Sequence, residues 1–321
     1  MSPAPTPAGP LPPVHAAPLP AGSVGADGVR VLPSIRYAGV PGYRPLELDL
    51  YLPPDAGSAP APVVVFVHGG GWLVGSRNTV GPMFAGAGPT PFARVAQAGI
   101  AVASVDYRLS GESTWPAALH DVKAAVRWLR ARGDEAGIDP GRIAAWGESA
   151  GGHLAALLGL TGRASAGGEE GAGTDDRGRA LEGDVGVTGR SSGVAAVVAW
   201  YTPSDVARVA TDNGADPAAP DSREALFLGG PVSAVPERAA EASPVTYARA
   251  GAPPFLLLHG TADRFVASRQ SERFAAALTA AGADVTLELF EGADHMWLGA
   301  PDTAEAALSR TIAFLRQHLH P

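Results

Sequence analysis

The feature that most restricts the architecture open to this chain is a series of short, unbroken apolar runs set between helical stretches. Residues 63–67 read Val-Val-Val-Phe-Val, and residues 100–105, 143–146, 194–200 and 254–259 are nearly as apolar. A half-exposed strand alternates polar and apolar residues, so runs without alternation imply strands covered on both faces. Between the runs the period changes. After Trp115-Pro116, the residues Leu119, Val122, Val126 and Leu129 recur at helical spacing, and Gly133 follows as the expected C-cap. Strands alternating with helices are joined by right-handed crossovers into a parallel sheet with helices on both sides. The predicted fold is therefore α/β, a mostly parallel, doubly wound sheet with helices on both faces and a small insertion.

Other segments fill in this outline. Residues 29–37 and 46–52 alternate in the strand manner, with a Pro-Gly turn between them, and predict an opening antiparallel hairpin. Helices are expected at 92–98, 150–160, 268–281 and 303–318, and a further strand at 285–290. Residues 203–250 contain no clear strand and read as an insertion able to act as a modest cap. Residues 161–193 are rich in Gly, Ser and charge. A loop that long is expected to be functional or disordered, and its pairs Glu169-Glu170 and Asp175-Asp176 read as solvated charge. Residues 1–28 are dominated by Pro, Ala and Gly and bury too little apolar surface to offset their ordering entropy. They are expected to form a flexible arm, the alternative being an arm packed over the mouth of the functional site. Residues 29–321 are then one domain.

Composition removes whole classes of chemistry. The chain has no cysteine, so disulfides, thiolate catalysis and cysteine zinc sites are excluded, and any nucleophile is an oxygen or a nitrogen. With 24 Lys and Arg against 32 Asp and Glu, the net charge of -8 repels phosphate backbones, so nucleic acid is not an expected partner. No apolar run reaches the length of a membrane span, and the N-terminus lacks a signal-peptide pattern; the expectation is no membrane span and a cytoplasmic location. No His/carboxylate cluster has metal-ligand spacing, so neither a metal nor another cofactor is expected. Oligomeric state is not readable.

The chemistry is carried by Gly147-Glu148-Ser149-Ala150-Gly151, which fits Gly-x-Ser-x-Gly between a predicted strand and a predicted helix. In a chain with 41 glycines that match alone is weak, and its context gives it weight. A serine in a tight strand-to-helix turn tolerates no bulk beside it, and the turn aims helical N–H groups at a developing anion. His68-Gly69-Gly70-Gly71-Trp72 follows the strand at 63–67. Its glycines let the backbone approach a substrate, and Gly70 and Gly71 are expected to present N–H groups to an oxyanion together with Ala150.

A serine nucleophile needs a base, and the base needs an orienting acid. Of the later histidines, His153 lies one helical turn on and reads as packing, His259 closes a buried strand, and His318 and His320 are terminal. His295 in Gly292-Ala293-Asp294-His295 remains, in a loop beyond a strand end, where such sheets place catalytic groups. Asp263 is the expected acid. Asp294 competes, but chain neighbours rarely face each other well enough. Trp72, Trp200, Tyr201 and Phe265 are candidates to line a pocket, although each could equally be core. Arg108 reads as a loop tie, His120-Asp121 as no metal site, His68 as a loop anchor, and Glu148 as either a pocket residue or a spectator.

Together His68-Gly-Gly-Gly-Trp72, Asp106-Tyr-Arg-Leu109, Gly137-Ile-Asp-Pro140, Gly147-Glu-Ser-Ala-Gly-Gly-His153, His259-Gly-Thr-Ala-Asp263 and Gly292-Ala-Asp-His295 carry a resemblance. The chain resembles the bacterial esterase/lipase group of α/β-hydrolases, nearest to the feruloyl- and acetyl-xylan-esterase-like branch, with hormone-sensitive-lipase-like esterases nearby. The resemblance runs from about residue 29 to the C-terminus. It implies the α/β-hydrolase fold and a triad of Ser149, Asp263 and His295. It further implies a serine carboxylic-ester hydrolase acting on small or medium acyl esters through an acyl-enzyme. Many members carry Val-Pro near the acid, where this chain has Arg264-Phe265-Val266-Ala267, so its pocket shape departs from theirs. The arm and the segment 163–180 have no counterpart. Three alternatives stay open: an arylformamidase or other amide hydrolase on the same triad; an exopeptidase, whose usual extra domain does not fit in 321 residues; and an inactive binding module, which would lack a triad member.

Overall fold

Runs of β-branched and aromatic residues form the centre of a twisted sheet in the computed structural model, which describes residues 13–54, 59–86, 88–162, 180–300 and 302–319. Its strands are β1 (Ser23–Val24), β2 (Arg30–Ala38), β3 (Leu46–Leu52), β4 (Ala61–Val67), β5 (Ala101–Val105), β6 (Ile138–Glu148), β7 (Val197–Trp200), β8 (Phe255–Gly260) and β9 (Val285–Phe290). Their order across the sheet is β1-β2-β3-β5-β4-β6-β7-β8-β9. The first four in that order, β1, β2, β3 and β5, pair antiparallel. From β5 onward every pair is parallel. This is the α/β-hydrolase architecture, and its parallel part points the carboxyl ends of β4, β6, β7, β8 and β9 to one edge.

The helices are α1 (Pro91–Gln97), α2 (Ala117–Arg132), α3 (Ala150–Thr161), α4 (Val209–Asp212), α5 (Arg223–Leu228), α6 (Pro236–Glu241), α7 (Arg269–Ala280) and α8 (Thr303–Leu319). Burial on both faces explains the unbroken apolar runs. In β4, Val63, Val65 and Val67 join a core with α2, α3 and α7, while Val64 and Phe66 join a second core with α1 and α8. Among the described residues no helix is long and apolar enough to cross a membrane.

Four expectations need correction or a limit. The part of the N-terminal arm that is described is not a loose chain. Residues Val14–Ala16 form a 3-10 turn, β1 pairs with β2, and the carbonyl of His15 accepts from Trp128 Nε1 at 3.1 Å and Arg132 Nη1 at 2.8 Å. Carbonyl acceptors on the arm thus satisfy donors at the end of α2, a source of order that apolar content does not reveal. Residues 1–12 lie outside the described residues, and none of residues 13–28 lines the cavity at the sheet edge.

Gly133 is the C-cap of α2, as expected, but not in the left-handed region. It has φ -58°, the chain tightens into a 3-10 turn over Gly133–Ala136, and Gly137 takes the left-handed position at φ 75°. The strand expected at 143–146 is longer, because Ile138 already pairs with Ala61. In the Gly-rich stretch, residues 163–179, with Glu169-Glu170 and Asp175-Asp176, lie outside the described residues. Beyond them Leu181 is buried, and Glu182 accepts from Arg127 Nη1 at 2.7 Å and Ser192 Oγ at 2.7 Å, so this end is tied down.

Candidate active site

Ser149 stands between β6 and α3 with φ 53° and ψ -121°, a strained conformation for a residue with a side chain. The glycines around it make the turn possible. A Cβ on Gly147 would overlap the carbonyl of Gly151, and one on Gly151 would overlap the carbonyl of Val67. The turn leaves the Ser149 hydroxyl at the carboxyl edge of the sheet, where Oγ is 3.0 Å from His295 Nε2. His295 opens a 3-10 turn after β9, and its Nδ1 is 2.7 Å from Asp263 Oδ2. Three side chains from separate strand ends thus form one hydrogen-bonded line.

Asp263 is tightly held. Its Oδ1 accepts from the backbone N–H groups of Phe265 and Val266, both at 2.8 Å, and its Oδ2 also lies 3.2 Å from His259 Nε2. Burial by itself would raise its pKa. The two imidazoles and the Val266 amide outweigh that and hold the carboxyl well below the usual range, so it carries its charge. Asp294, the competing acid, points elsewhere: it accepts from the N–H groups of His295 at 2.8 Å and Arg264 at 3.0 Å and pairs with the Arg264 guanidinium.

Residues 68–72 carry the predicted donors. Gly70, Gly71 and Trp72 all have positive φ, at 111°, 60° and 56°. The carbonyl of Gly70 turns away to accept from Leu73 and Val74 amides, each at 3.2 Å, and from Arg223 Nη1 at 2.8 Å. Among the described residues no backbone carbonyl takes the N–H of Gly70, Gly71 or Ala150, and all three residues line the same cavity as Ser149. His68 anchors the loop. Its Nδ1 donates to the carbonyl of Gly69 at 2.7 Å, its ring stacks on Tyr107, and burial lowers its pKa to about 4. His153 fixes Trp72 from below, accepting its indole N–H at 3.2 Å and facing the carbonyl of Ala242 at 2.6 Å; burial lowers its pKa also to about 4.

The cavity holds about 280 Å³. Trp72, Tyr201 and Phe265 line it, with Phe265 61% exposed at the rim. Trp200 does not. It is fully buried in the core on the α1/α8 side of the sheet, donates its indole N–H to Thr311 Oγ1 at 3.0 Å and packs on Trp146 and Trp297. As the last residue of β7 it still obeys the strand's alternation. Tyr201, just beyond at φ 36°, stays packed on Trp200 and Trp297 but also reaches the cavity. The Tyr201 ring lies 4.6 Å from that of His295, and its hydroxyl donates to Glu148 Oε2 at 2.8 Å. Glu148 is buried in the cavity wall, and burial raises its pKa against the opposing hydrogen bonds from Tyr201 and the Gly81 and Gly69 amides. Arg108 is a loop tie, paired with buried Asp121 at 2.7 Å, and His120 reaches the carbonyl of Ala180 at 2.8 Å.

Sequence reasoning missed Arg223, Glu224 and Val209 of the insertion and Met296 next to His295, all of which line the cavity. The insertion residues carry no motif. The contact of His259 with Asp263 was also missed, although a four-residue spacing across a Gly turn was its one visible signal.

The chain is similar to known esterases in sequence and in fold. The BD-FAE family model matches residues 48–278. Esterase LipC of Mycobacterium tuberculosis is 34% identical over 236 residues, covering 73% of this chain and 52% of LipC. A truncated carbohydrate esterase from gut microbiota superposes with a TM-score of 0.75 at 27% identity, over 95% of this chain and 100% of that one. The propionate-bound esterase Est2 of Thermogutta terrifontis gives 0.64 at 28% identity, over 92% of this chain and 96% of its own. The chain spans about half the length of the curated relatives it matches. The extent of the family match and the serine elbow at the sheet edge lead to one classification: the chain belongs to the BD-FAE family, in the esterase group of the α/β-hydrolases.

Proposed function

We propose that the protein is a serine carboxylic-ester hydrolase that works through an acyl-enzyme on small-molecule esters. The observation that carries this reading is the line Ser149 Oγ to His295 Nε2, 3.0 Å, and His295 Nδ1 to Asp263 Oδ2, 2.7 Å, in the wall of a cavity. His295 Nε2 takes the proton of Ser149 as Oγ attacks the ester carbonyl. Negative charge collects on the carbonyl oxygen, and the N–H groups of Gly70, Gly71 and Ala150 are its proposed donors. The intermediate collapses, the C–O bond to the alcohol breaks, and His295 hands the proton to the leaving oxygen. Water then repeats both steps on the acyl-serine and releases the acid. Asp263, ionised, holds the tautomer of His295 and stabilises its cationic form.

The cavity, about 280 Å³ with mostly apolar walls, suits a short acyl group, and the propionate in Thermogutta terrifontis Est2 supports that size class. The test is a fluorophosphonate probe with peptide mass spectrometry, beside turnover of p-nitrophenyl acetate, butyrate and octanoate. The adduct is expected on Ser149, with Ser149→Ala reducing turnover to background and activity falling beyond butyrate. An adduct on a different serine, or turnover surviving Ser149→Ala, overturns the reading.

A further inference from the structure

Asp263 is flanked by two imidazoles, and the proposed mechanism uses one. The second, His259, is the penultimate residue of β8 and fully buried. Its Nε2 is 2.8 Å from the carbonyl of Val266 and 3.2 Å from Asp263 Oδ2, and its Nδ1 is 2.7 Å from Ser271 Oγ on α7. A carbonyl only accepts, so Nε2 bears the proton. In the singly protonated ring Nδ1 is then an acceptor, and Ser271 donates to it. From these contacts we infer that His259, its tautomer set by Ser271, is a positioning residue: its Nε2–H is shared between Val266 and Asp263 and locks the carboxylate in the orientation that faces His295.

The oxygen that His259 approaches is what separates this role from that of an ordinary buried histidine. Oδ1 of Asp263 is already taken by two backbone amides, at 2.8 Å each. Oδ2 has the two imidazoles. Every lone-pair direction of the carboxylate therefore meets an N–H, and rotation about the Cβ–Cγ bond would break contacts on both oxygens. The surrounding turn is pinned in the same sense. Ala262 N–H donates to the carbonyl of Ala293 at 3.0 Å, and Gly292 N–H donates to Thr261 Oγ1 at 2.9 Å, so the acid loop and the base loop move together.

An N–H aimed at Oδ2 also draws off part of the negative charge that would otherwise act on His295. Removing it concentrates that charge on the Nδ1 side and favours the imidazolium form of His295. The acid limb of kcat/KM then moves to higher pH. Among the described residues, the ionisable groups that bear on His295 are Asp263 from the loop after β8, Tyr201 after β7, Glu148 at the end of β6, and the Arg264–Asp294 pair beside its backbone. None of them is altered by a change at residue 259 except Asp263.

The inference rests on the ester-hydrolase reading, and the experiment keeps the two apart. Turnover of p-nitrophenyl butyrate is measured from pH 4.5 to 9 for the wild type, His259→Leu, His259→Gln, Ser271→Ala and Ser149→Ala. Gln can place an amide N–H where the imidazole Nε2–H lies. His259→Leu is expected to lose about tenfold or more in kcat with KM within about twofold, and to raise the acid limb by about half a pH unit or more. His259→Gln is expected to return most of both. Where His259→Leu does not fold, Ser271→Ala decides: it is expected to shift the limb in the same direction with a smaller loss of kcat. A folded His259→Leu with an unmoved limb, a His259→Gln no better than Leu, or, in the non-folding case, a Ser271→Ala with wild-type kcat and limb overturns the inference. Wild-type turnover that survives Ser149→Ala overturns the underlying reading whatever the residue 259 variants do.

Discussion

The two oxygens of Asp263 meet different partners, and the difference sets what a substitution there does. Oδ1 closes its own turn through backbone amides, while Oδ2 faces His295. Asp263→Asn keeps the volume and can keep the turn, but presents either a donor or a neutral oxygen to His295 Nδ1. The expected result is a drop in kcat of about 10³- to 10⁴-fold with little change in KM, and a lowered melting temperature because the amide cannot satisfy all the N–H groups that hold the carboxylate, measured by steady-state kinetics and thermal unfolding. Asp294→Asn is expected to cost less than about tenfold, since that side chain serves the turn and Arg264. These residues are legible in sequence because Ser149, Asp263 and His295 each follow a strand whose end must reach one edge of a parallel sheet. Trp200 was not legible in that way: pattern alone marks a large aromatic near a strand end, and only the alternation inside β7 decides which face it joins.

Elements fix the loops that those residues stand on. α5 lines one side of the site through Arg223 and Glu224, and Arg223 also donates to the carbonyl of Gly70. Arg223→Ala removes this tie from the donor loop without touching the proposed triad. A fall in kcat/KM of about threefold to tenfold is expected, with the folded stability near that of the wild type; kinetics and urea unfolding check both. The opposite behaviour is expected of the N-terminal arm. Deleting residues 1–18 takes away the acceptors that His15 and Ala17 offer to Trp128 and Arg132, far from the cavity. Stability should fall by about 1 kcal/mol or slightly more, partly offset by water at the part-buried Arg132, with kcat unchanged. Composition hid this docking because it rests on backbone carbonyls, which every sequence has. Residues 203–250 hid their contribution for a related reason: short helices around Pro and Gly lack the length over which periodicity speaks.

The whole molecule responds to acid chiefly through two groups that do not line the cavity. His68 and His153 are buried and have pKa values lowered to about 4 from an ordinary 6.5. Between those limits the unfolded chain binds protons that the folded chain refuses, so stability falls as pH drops through 6.5 toward 4. The loss approaches roughly 3 kcal/mol for each histidine. Glu148 has a raised pKa and works in the opposite sense, offsetting part of the loss. Urea unfolding at pH 7.5, 6, 5 and 4.2 is expected to show that decline, and a flat profile contradicts it. At this scale the fold was the most legible property, since continuous apolar runs specify strands covered twice and the two cores follow. Register details such as the early start of β6 at Ile138 were not, because Pro140 interrupts the pattern that a strand reading requires.

The insertion is held against the body of the fold by buried residues such as Val206, Phe227 and Leu228 and by side chains outside it. Gln270 on α7 receives the amides of Ser204 and Asp205 at 2.9 and 2.8 Å, and Asn213 spans the loop that holds Phe265. Pro203, Val209, Arg223 and Glu224 hang from that mounting as one side of the chamber, while the reacting groups stand on the other. The wall that faces the substrate and the groups that react therefore stand on different segments of the chain. Changing Val209 or Glu224, which line the chamber without contacting the triad, would retune which molecules are admitted and leave the reaction itself alone.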